Sequence, residues 1–238
     1  MLVDDPLGRD YTVLRTYITQ GVYLADPGSP RLRAEIQTRV SQLNWGDLHT
    51  YQWRMICPQN VVNHGPDVYV IVLQCHDQNA VNVARRPTFD IAYHDGRLEA
   101  KLARSADPFG MDIWDRVIAP GEEIEITVRA KWADGTHVAA AEGLFELYVN
   151  GALVYQLAGE KNTWDSGTPA EDYPPFLKAG VYQSQNDEAT WEGKDFTWYH
   201  VGSIVSNEGD SPAALRAVID AGLAATPARE KMLLAWKI

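Results

Sequence analysis

Polar side chains recur at every second position in a segment near the start of the chain. Residues two apart on a β-strand share a face, so a strand over 31–40 would carry a polar row opposite an apolar one. The polar row consists of Arg31, Arg33, Glu35, Gln37 and Arg39. Such a row is usually the solvated side of a sheet, but its guanidinium groups could also line a groove that binds an anion.

A second segment, 68–76, ends in two polar residues. Strict alternation puts Gln74 and His76 on one face, after an apolar start, and puts Tyr69 and Leu73 on the other face. A histidine at a strand end is more often structural than catalytic. Its imidazole is nevertheless the side chain best suited to proton transfer near neutral pH.

A third segment, 176–183, carries Lys178 and Tyr182 on one face and apolar residues on the other. If the three strands are neighbours in one sheet, an arginine, a glutamine, a histidine, a lysine and a tyrosine converge. Together these residue types could hold an anionic group and move a proton.

The rest of the chain predicts a β-sandwich to hold these strands. Short alternating segments are separated by turn residues, as in sandwich folds. Two hairpins are predicted over 89–102 and 144–155, with turns at Asp95-Gly96 and Asn150-Gly151 that suit positive φ angles. Further strands are predicted over 31–41, 48–56, 67–76, 122–132, 176–183 and 196–206.

The C-terminal segment is predicted to be helical. Ser211-Pro212 is a common helix start, and Leu215, Ile219 and Leu223 follow at helical spacing. A second short helix is predicted over 228–236. We therefore divide the chain into a β domain over 1–208 and a helical appendage over 209–238, which either packs on the sandwich or serves as a docking or oligomerisation element.

The charge of the chain limits its partners. The formal net charge is -11, which opposes binding to nucleic acids or anionic membranes. A polyanionic ligand would need a locally basic groove. The two cysteines, Cys57 and Cys75, are expected to be buried free thiols. No cluster has zinc spacing and no glycine-rich loop precedes a helix, so neither a metal nor an organic cofactor is expected.

Targeting signals are not evident in the sequence. No apolar run reaches 18 residues, so no transmembrane helix is expected. The start of the chain lacks the basic and apolar regions of a secretory signal. Action outside the cell would then require a trimmed precursor or another route, such as carriage on a virus particle.

The three polar segments resemble motifs of the jelly-roll polysaccharide lyases. Residues 33–37 resemble the Arg-x-Glu-Leu-Arg strand of these enzymes, 74–76 their Gln-Ile-His motif, and 176–182 their Tyr-Phe-Lys-Ala-Gly-x-Tyr motif. The motifs occur in the family order, and the resemblance to heparin lyase I-like, glucuronan lyase and alginate lyase families covers roughly 30–205. It implies a concanavalin-like β-jelly roll of two antiparallel sheets with a short C-terminal helical tail.

Four positions depart from the family motifs. Gln37 replaces the second arginine of the first motif, which removes one positive charge from the expected groove. Cys75 replaces an isoleucine, Phe176 replaces a tyrosine, and Gln183 stands where asparagine is common. These departures affect the expected substrate more than the expected chemistry.

The resemblance implies β-elimination at a uronate. Arg33 and Gln74 would neutralise the uronate carboxylate, so that the proton on C5 can be removed. His76 would be either a further donor or the base. Tyr182 would give a proton to the leaving O4 and, in syn elimination, first accept one from C5. A tyrosine titrates near pH 10, so a base role needs local positive charge, which Lys178 could help to supply.

The remaining polar residues are expected to bind substrate together with Lys178. Arg31 and Arg39 would extend the basic groove, and Arg54 would do so unless it lies on the wrong face. Glu35 is expected to orient Arg33 through an ion pair, and Gln37 completes the row. The uronate, its epimer and the choice between syn and anti elimination stay open.

Two other functions are compatible with the sequence. One is a non-catalytic carbohydrate-binding or virion structural protein on the same scaffold, which the helical tail and Gln37 favour. The other is a sandwich-fold glycoside hydrolase, which would need two carboxylates across the scissile bond. The acidic run of Glu122, Glu123 and Glu125 is the only dense candidate, and it looks like an ordinary strand start.

Overall fold

Thirteen strands and one α-helix lie within the part of the chain that our computed structural model describes. The described residues are 2–4, 12–18, 32–37, 43–57, 69–76, 87–94, 96–104, 107–164, 174–183, 196–206 and 209–225. The strands form two antiparallel sheets of seven and six strands. The predicted all-β sandwich with a short helical tail is confirmed.

The seven-stranded sheet, here called the back sheet, has the order β1-β2-β13-β4-β9-β10-β11. Its strands are β1 (Leu2–Asp4), β2 (Thr12–Ile18), β4 (His49–Ile56), β9 (Glu123–Lys131), β10 (Leu144–Val149), β11 (Ala152–Ala158) and β13 (Phe196–Ser206). All of its described strand pairs are antiparallel.

The six-stranded sheet, here called the front sheet, has the order β3-β12-β5-β6-β7-β8. Its strands are β3 (Leu32–Gln37), β5 (Tyr69–His76), β6 (Phe89–His94), β7 (Arg97–Arg104), β8 (Asp107–Val117) and β12 (Phe176–Gln183). The predicted strands over 176–183 and 196–206 have the bounds that the sequence suggested. Strands β1, β2 and β8 were not predicted, and Pro108 and Gly110 interrupt the alternation of β8.

One hydrophobic core lies between the two sheets. It joins residues of the back sheet, such as Trp53 and Phe145, to residues of the front sheet, such as Ile91 and Leu177. Burial of this apolar area is the main favourable contribution to folding. The core therefore packs against the inner face of the front sheet, opposite its polar outer face.

Both predicted hairpins form. At the tip of the second, Asn150 and Gly151 have φ angles of 50° and 81°, as the tight turn between β10 and β11 requires. Gly96 has φ 78° in the turn between β6 and β7.

The two cysteines are buried and free, as predicted. Burial raises the pKa of the Cys57 thiol to about 12 and also raises that of Cys75. Both thiols therefore stay protonated at neutral pH, where they pack as small apolar groups.

The C-terminal helix packs on the outer surface of the back sheet. This helix, α1 (Pro212–Ala225), buries Leu215 and Ile219. Gln52 Nε2 donates to the carbonyl oxygen of Pro212 at 3.2 Å, which fixes the start of the helix over β4. The helix predicted over 228–236 lies outside the described residues.

A buried histidine connects two strands of the back sheet. Trp53 Nε1 of β4 donates to Nδ1 of His200 of β13 at 2.9 Å. His200 is 1% exposed. Desolvation lowers its pKa from 6.5 to about 3, so the ring is neutral in the folded protein at neutral pH.

We expect this histidine to make stability dependent on pH. Between pH 6.5 and about 3 the unfolded chain binds a proton at His200 that the folded chain does not, so stability is lost as the pH falls through that range. The loss should be roughly 1.4 kcal/mol per pH unit. Urea unfolding at pH 6, 5 and 4 measures it.

The matched variant is His200→Asn, whose amide oxygen can still accept the Trp53 bond but does not titrate. The packing change should lower the stability of this variant at every pH. The slope of its unfolding free energy against pH should be smaller than that of the unsubstituted protein by about 1.4 kcal/mol per unit. Equal slopes would show that His200 is not the titrating group.

Candidate active site

The three polar segments are neighbours in the front sheet. Strand β12 lies between β3 and β5, and it pairs antiparallel with both. The sequence analysis required the three strands to be neighbours for their polar residues to converge. The strand order meets this condition.

The strand register aligns the predicted residues in opposed pairs. Arg33 lies directly opposite Tyr182, and Gln37 lies opposite Lys178. Lys178 is in turn opposite Gln74 on its other side, in the same cross-strand row. Directly opposed residues in an antiparallel ladder belong to the same face, with Cβ atoms about 5 Å apart. These five positions thus share one face.

His76 joins the same face at one end of the site. It lies opposite Phe176, which is two residues from Lys178 on β12. Lys178 Nζ is 5.4 Å from the centroid of the Phe176 ring, a cation–π distance that holds the ammonium over β12. His76, Lys178 and Tyr182 are all partly exposed, so a ligand can reach them.

Strand β5 contains an irregularity that changes which of its residues share a face, relative to the prediction. The pairing with β6 shifts between Ile71 and Leu73, which is a β-bulge. Val70 and Leu73 both lie in the core, and Tyr69 lies with Gln74 on the outer face. The prediction that Tyr69 and Leu73 share a face was wrong, because the bulge adds one residue to the alternation.

Strand β12 is irregular at the same level. Its pairing with β5 shifts between Ala179 and Tyr182. Gly180 lies within this shift and has φ 147°, a conformation that favours glycine. Gly180 is also directly opposite Glu35. Gly180 therefore places no side chain on the face between Lys178 and Tyr182.

A hydrogen bond connects β3 and β5 across the intervening strand. Gln74 Nε2 donates to Glu35 Oε1, and Gln74 is only 3% exposed. Gln74 is thus a described partner of Glu35, and the predicted ion pair between Glu35 and Arg33 stays a prediction. The side chains of Arg33 and Gln37 lie outside what the structure describes, as do Arg31 and Arg39 altogether.

Two outward-facing residues at the centre of this face are buried. Asp90 and Ala92 of β6 face outward, beside Gln74 and Ile71 of β5, yet Asp90 is 3% exposed and Ala92 is fully buried. Tyr69 OH donates to Asp90 Oδ1 at 2.8 Å. Neighbouring atoms, among them the Tyr69 side chain, therefore cover this part of the outer face of the front sheet.

Asp90 and Lys101 are polar residues of this face that the sequence analysis missed. They are opposed across β6 and β7. Both lie at alternate positions of a hairpin that the sequence did predict. The alternation within that hairpin was the signal that could have found them.

Arg54 does not extend this groove. It lies in β4 of the back sheet and donates to Asp220 of α1 at 2.8 Å and to Glu125 of β9 at 3.2 Å. Arg216 of α1 also donates to Glu125 through Nε, at 3.0 Å to each carboxylate oxygen. Of the two possibilities left open for Arg54, the structure therefore shows the one in which it lies away from the polar face.

The same contacts weigh against the glycoside hydrolase alternative. Glu125 is held by two guanidinium groups beneath the helix, on the opposite side of the sandwich from the groove. A carboxylate bound in this way is poorly suited to act as a general acid.

A comparison with protein families decides the class of the molecule. The family model described as polysaccharide lyase matches residues 2–200. The chain belongs to the polysaccharide lyase family. The lyase is therefore an enzyme that acts on a polysaccharide. A search of curated proteins finds no match.

Solved structures support the fold of the lyase. The endo-β-1,4-glucuronan lyase of the fungus Trichoderma reesei is similar, with a TM-score of 0.56 and 13% identity over 82% of this chain and 81% of that chain. Alginate lyase A1-II′, a member of polysaccharide lyase family-7, has a TM-score of 0.56 and 19% identity over 86% and 82%. At these identities the likeness establishes the jelly-roll fold only.

No helix among the described residues of the lyase is long and apolar enough to cross a membrane.

Proposed function

We propose that this lyase cleaves a uronate-containing acidic polysaccharide by β-elimination. The observation that carries the proposal is the strand register, which puts Arg33 opposite Tyr182 and Lys178 opposite Gln74 on one face of the front sheet. The names of the similar structures, a glucuronan lyase and an alginate lyase, point to the same substrate class. Action on such a polymer outside the cell is part of the proposal.

Binding of the uronate carboxylate is the first requirement. The C5 proton is too weakly acidic to be removed while that carboxylate keeps its full charge. Arg33 supplies a guanidinium with two parallel donors, and Gln74 supplies an amide N–H to the same group. The Gln74 amide is held by its hydrogen bond to Glu35, so this donor is in place before charge develops on the sugar.

Glu35 positions one of these donors. Its carboxylate accepts one N–H of the Gln74 amide, which leaves the second N–H for the substrate. A carboxylate in a polyanion groove repels the ligand, but here Glu35 Oε1 is engaged with the Gln74 amide. We therefore assign Glu35 to positioning rather than to substrate contact.

Proton transfer is assigned to Tyr182 and His76. A base removes the C5 proton, the C5–H electron pair forms the C4=C5 double bond, and the C4–O4 bond breaks. Tyr182 gives its phenolic proton to the departing O4. In syn elimination the Tyr182 phenolate, stabilised by Arg33 and Lys178, takes the C5 proton first, whereas in anti elimination His76 takes it.

Product analysis tests the proposal. We expect incubation with alginate, glucuronan, heparinoids and bacterial capsule preparations to give, from at least one of them, ultraviolet-absorbing fragments with an unsaturated uronate at the new end. Mass spectrometry should show fragments lighter by one water than hydrolysis products. Fragments with saturated non-reducing ends as the only product would refute β-elimination. Glycan binding without cleavage of the bound polymer would favour the non-catalytic alternative.

A further inference from the structure

The cross-strand row of the site continues beyond Gln74 over the other half of the front sheet. Gln74 lies opposite Asp90, Asp90 opposite Lys101, and Lys101 opposite Asp112. Lys101 is thus a further cation on the same face, with Gln74 and Asp90 between it and Lys178. Nothing in the proposed elimination uses it.

The ammonium of Lys101 is held in place by its neighbours. Its Nζ lies 5.1 Å from the centroid of the Tyr69 ring, within cation–π range. The Tyr69 hydroxyl donates to Asp90, which is itself buried, so the ring has a fixed orientation. The β-bulge in β5 is what puts Tyr69 on this face. The lysine side chain is 22% exposed and therefore remains accessible.

The described ion-pair partner of Lys101 can be displaced. Asp112 lies 3.4 Å from Nζ, but its side chain is 79% exposed. An ion pair with so exposed a partner contributes only about 0–1 kcal/mol, because water and salt screen it. An ammonium also has three N–H donors, so a second carboxylate can bind to it without loss of the first.

The spacing of the row matches the repeat of a sugar chain. Neighbouring strands are about 4.8 Å apart, so Lys101 is roughly 10 Å from Gln74 across two strand intervals. A 1,4-linked pyranose unit is about as long as one such interval. A polysaccharide that crosses the strands would therefore bring the carboxylate of a unit about two sugars from the reacting uronate near Lys101.

We propose that Lys101 is a distal binding site for a uronate carboxylate, with Tyr69 and Asp90 as its positioning residues. The inference rests on the proposed function, since it requires an acidic polysaccharide in the groove. It predicts that the enzyme distinguishes long substrates from short ones. Chains long enough to reach Lys101 gain binding energy that the shortest cleavable oligosaccharide does not.

Substrate length provides the test. KM and kcat are measured for the unsubstituted lyase and for Lys101→Gln on the polymer and on the shortest oligosaccharide that is cleaved. We expect Lys101→Gln to raise KM on the polymer about tenfold, the size of one charge-assisted hydrogen bond. Its kcat on the polymer and both constants on the short substrate should stay unchanged.

Two further variants keep the test specific. Lys131→Gln removes a lysine of the back sheet that pairs with the exposed Glu142, and it should leave both substrates unaffected. Asp112→Asn frees the Lys101 ammonium from its partner and should lower KM on the polymer, even if Lys101→Gln folds poorly. An equal KM for the unsubstituted lyase, Lys101→Gln and Asp112→Asn would overturn the inference, as would an equal effect on short and long substrates.

The outcomes separate this inference from the proposed function. If the unsubstituted lyase yields no unsaturated product from any acidic polymer, the proposed function fails and the inference fails with it. If the lyase is active and Lys101→Gln matches it on long chains, only the distal site is wrong.

Discussion

Replacement of Tyr182 with phenylalanine should lower kcat by about 10²–10⁴-fold, the range that a positioned acid or base contributes. The substitution removes only the phenolic hydroxyl and keeps the ring. Tyr182 lies opposite Arg33 and is partly exposed, so its loss should affect proton transfer more than folding. KM should change little. The initial rate of unsaturated product formation measures the effect.

Tyr199→Phe is the matched control, because Tyr199 is a partly exposed tyrosine of β13 in the back sheet. It should retain full activity. His76→Ala separates the two forms of the mechanism: a loss as large as that of Tyr182→Phe indicates that His76 is the base, and a loss of about tenfold indicates a donor. Retention of more than a tenth of the rate by Tyr182→Phe would remove Tyr182 from the mechanism.

The second large effect concerns stability. Replacement of Glu125 with alanine should lower the free energy of unfolding by about 3 kcal/mol, near the low end for a broken buried ion pair. The Glu125 side chain is 6% exposed and binds both Arg54 and Arg216. Its removal takes away one of the carboxylates that balance the positive charge of the mostly buried Arg54, although Asp220 and Glu123 remain beside it. Urea unfolding monitored by tryptophan fluorescence measures the loss.

Helix α1 should loosen in the same variant, since Arg216 connects the helix to β9 through Glu125. Faster amide hydrogen exchange within α1 would report this. Glu142→Ala is the control: Glu142 pairs with Lys131 at the surface and is 56% exposed, so its loss should cost less than about 1 kcal/mol. A cost as small as this for Glu125→Ala would show that hydrophobic contacts, such as those of Leu215, hold the helix.

Local sequence patterns were sufficient to predict most of the strands. Alternation and turn residues located the two hairpins, and the proline start located the helix. Strand β8 was missed because Pro108 and Gly110 obscure its pattern. The sequence analysis left the order of strands in the front sheet open, since periodicity within a segment carries no information about its neighbours, and the structure supplies that order.

The sequence did not predict correctly which residues of β5 share a face. The bulge near Val72 arises from the pairing of β5 with β6 and β12, and no residue in β5 signals it. Alternation from the C-terminal end placed Gln74 and His76 on the face with the other site residues, whereas alternation from the N-terminal end misplaced Tyr69. Arg54 was ambiguous for a related reason, because its partners Glu125 and Asp220 come from elements far along the chain.

The pairing of β3 with β12 has a consequence for biosynthesis. These two strands hold opposite halves of the polar face, yet most of the chain lies between them. Closing so long a loop is costly in entropy and slows folding. A ribosome-bound chain that has not yet reached Phe176 lacks the strand between β3 and β5. The proposed site therefore cannot assemble before β12 has been synthesised.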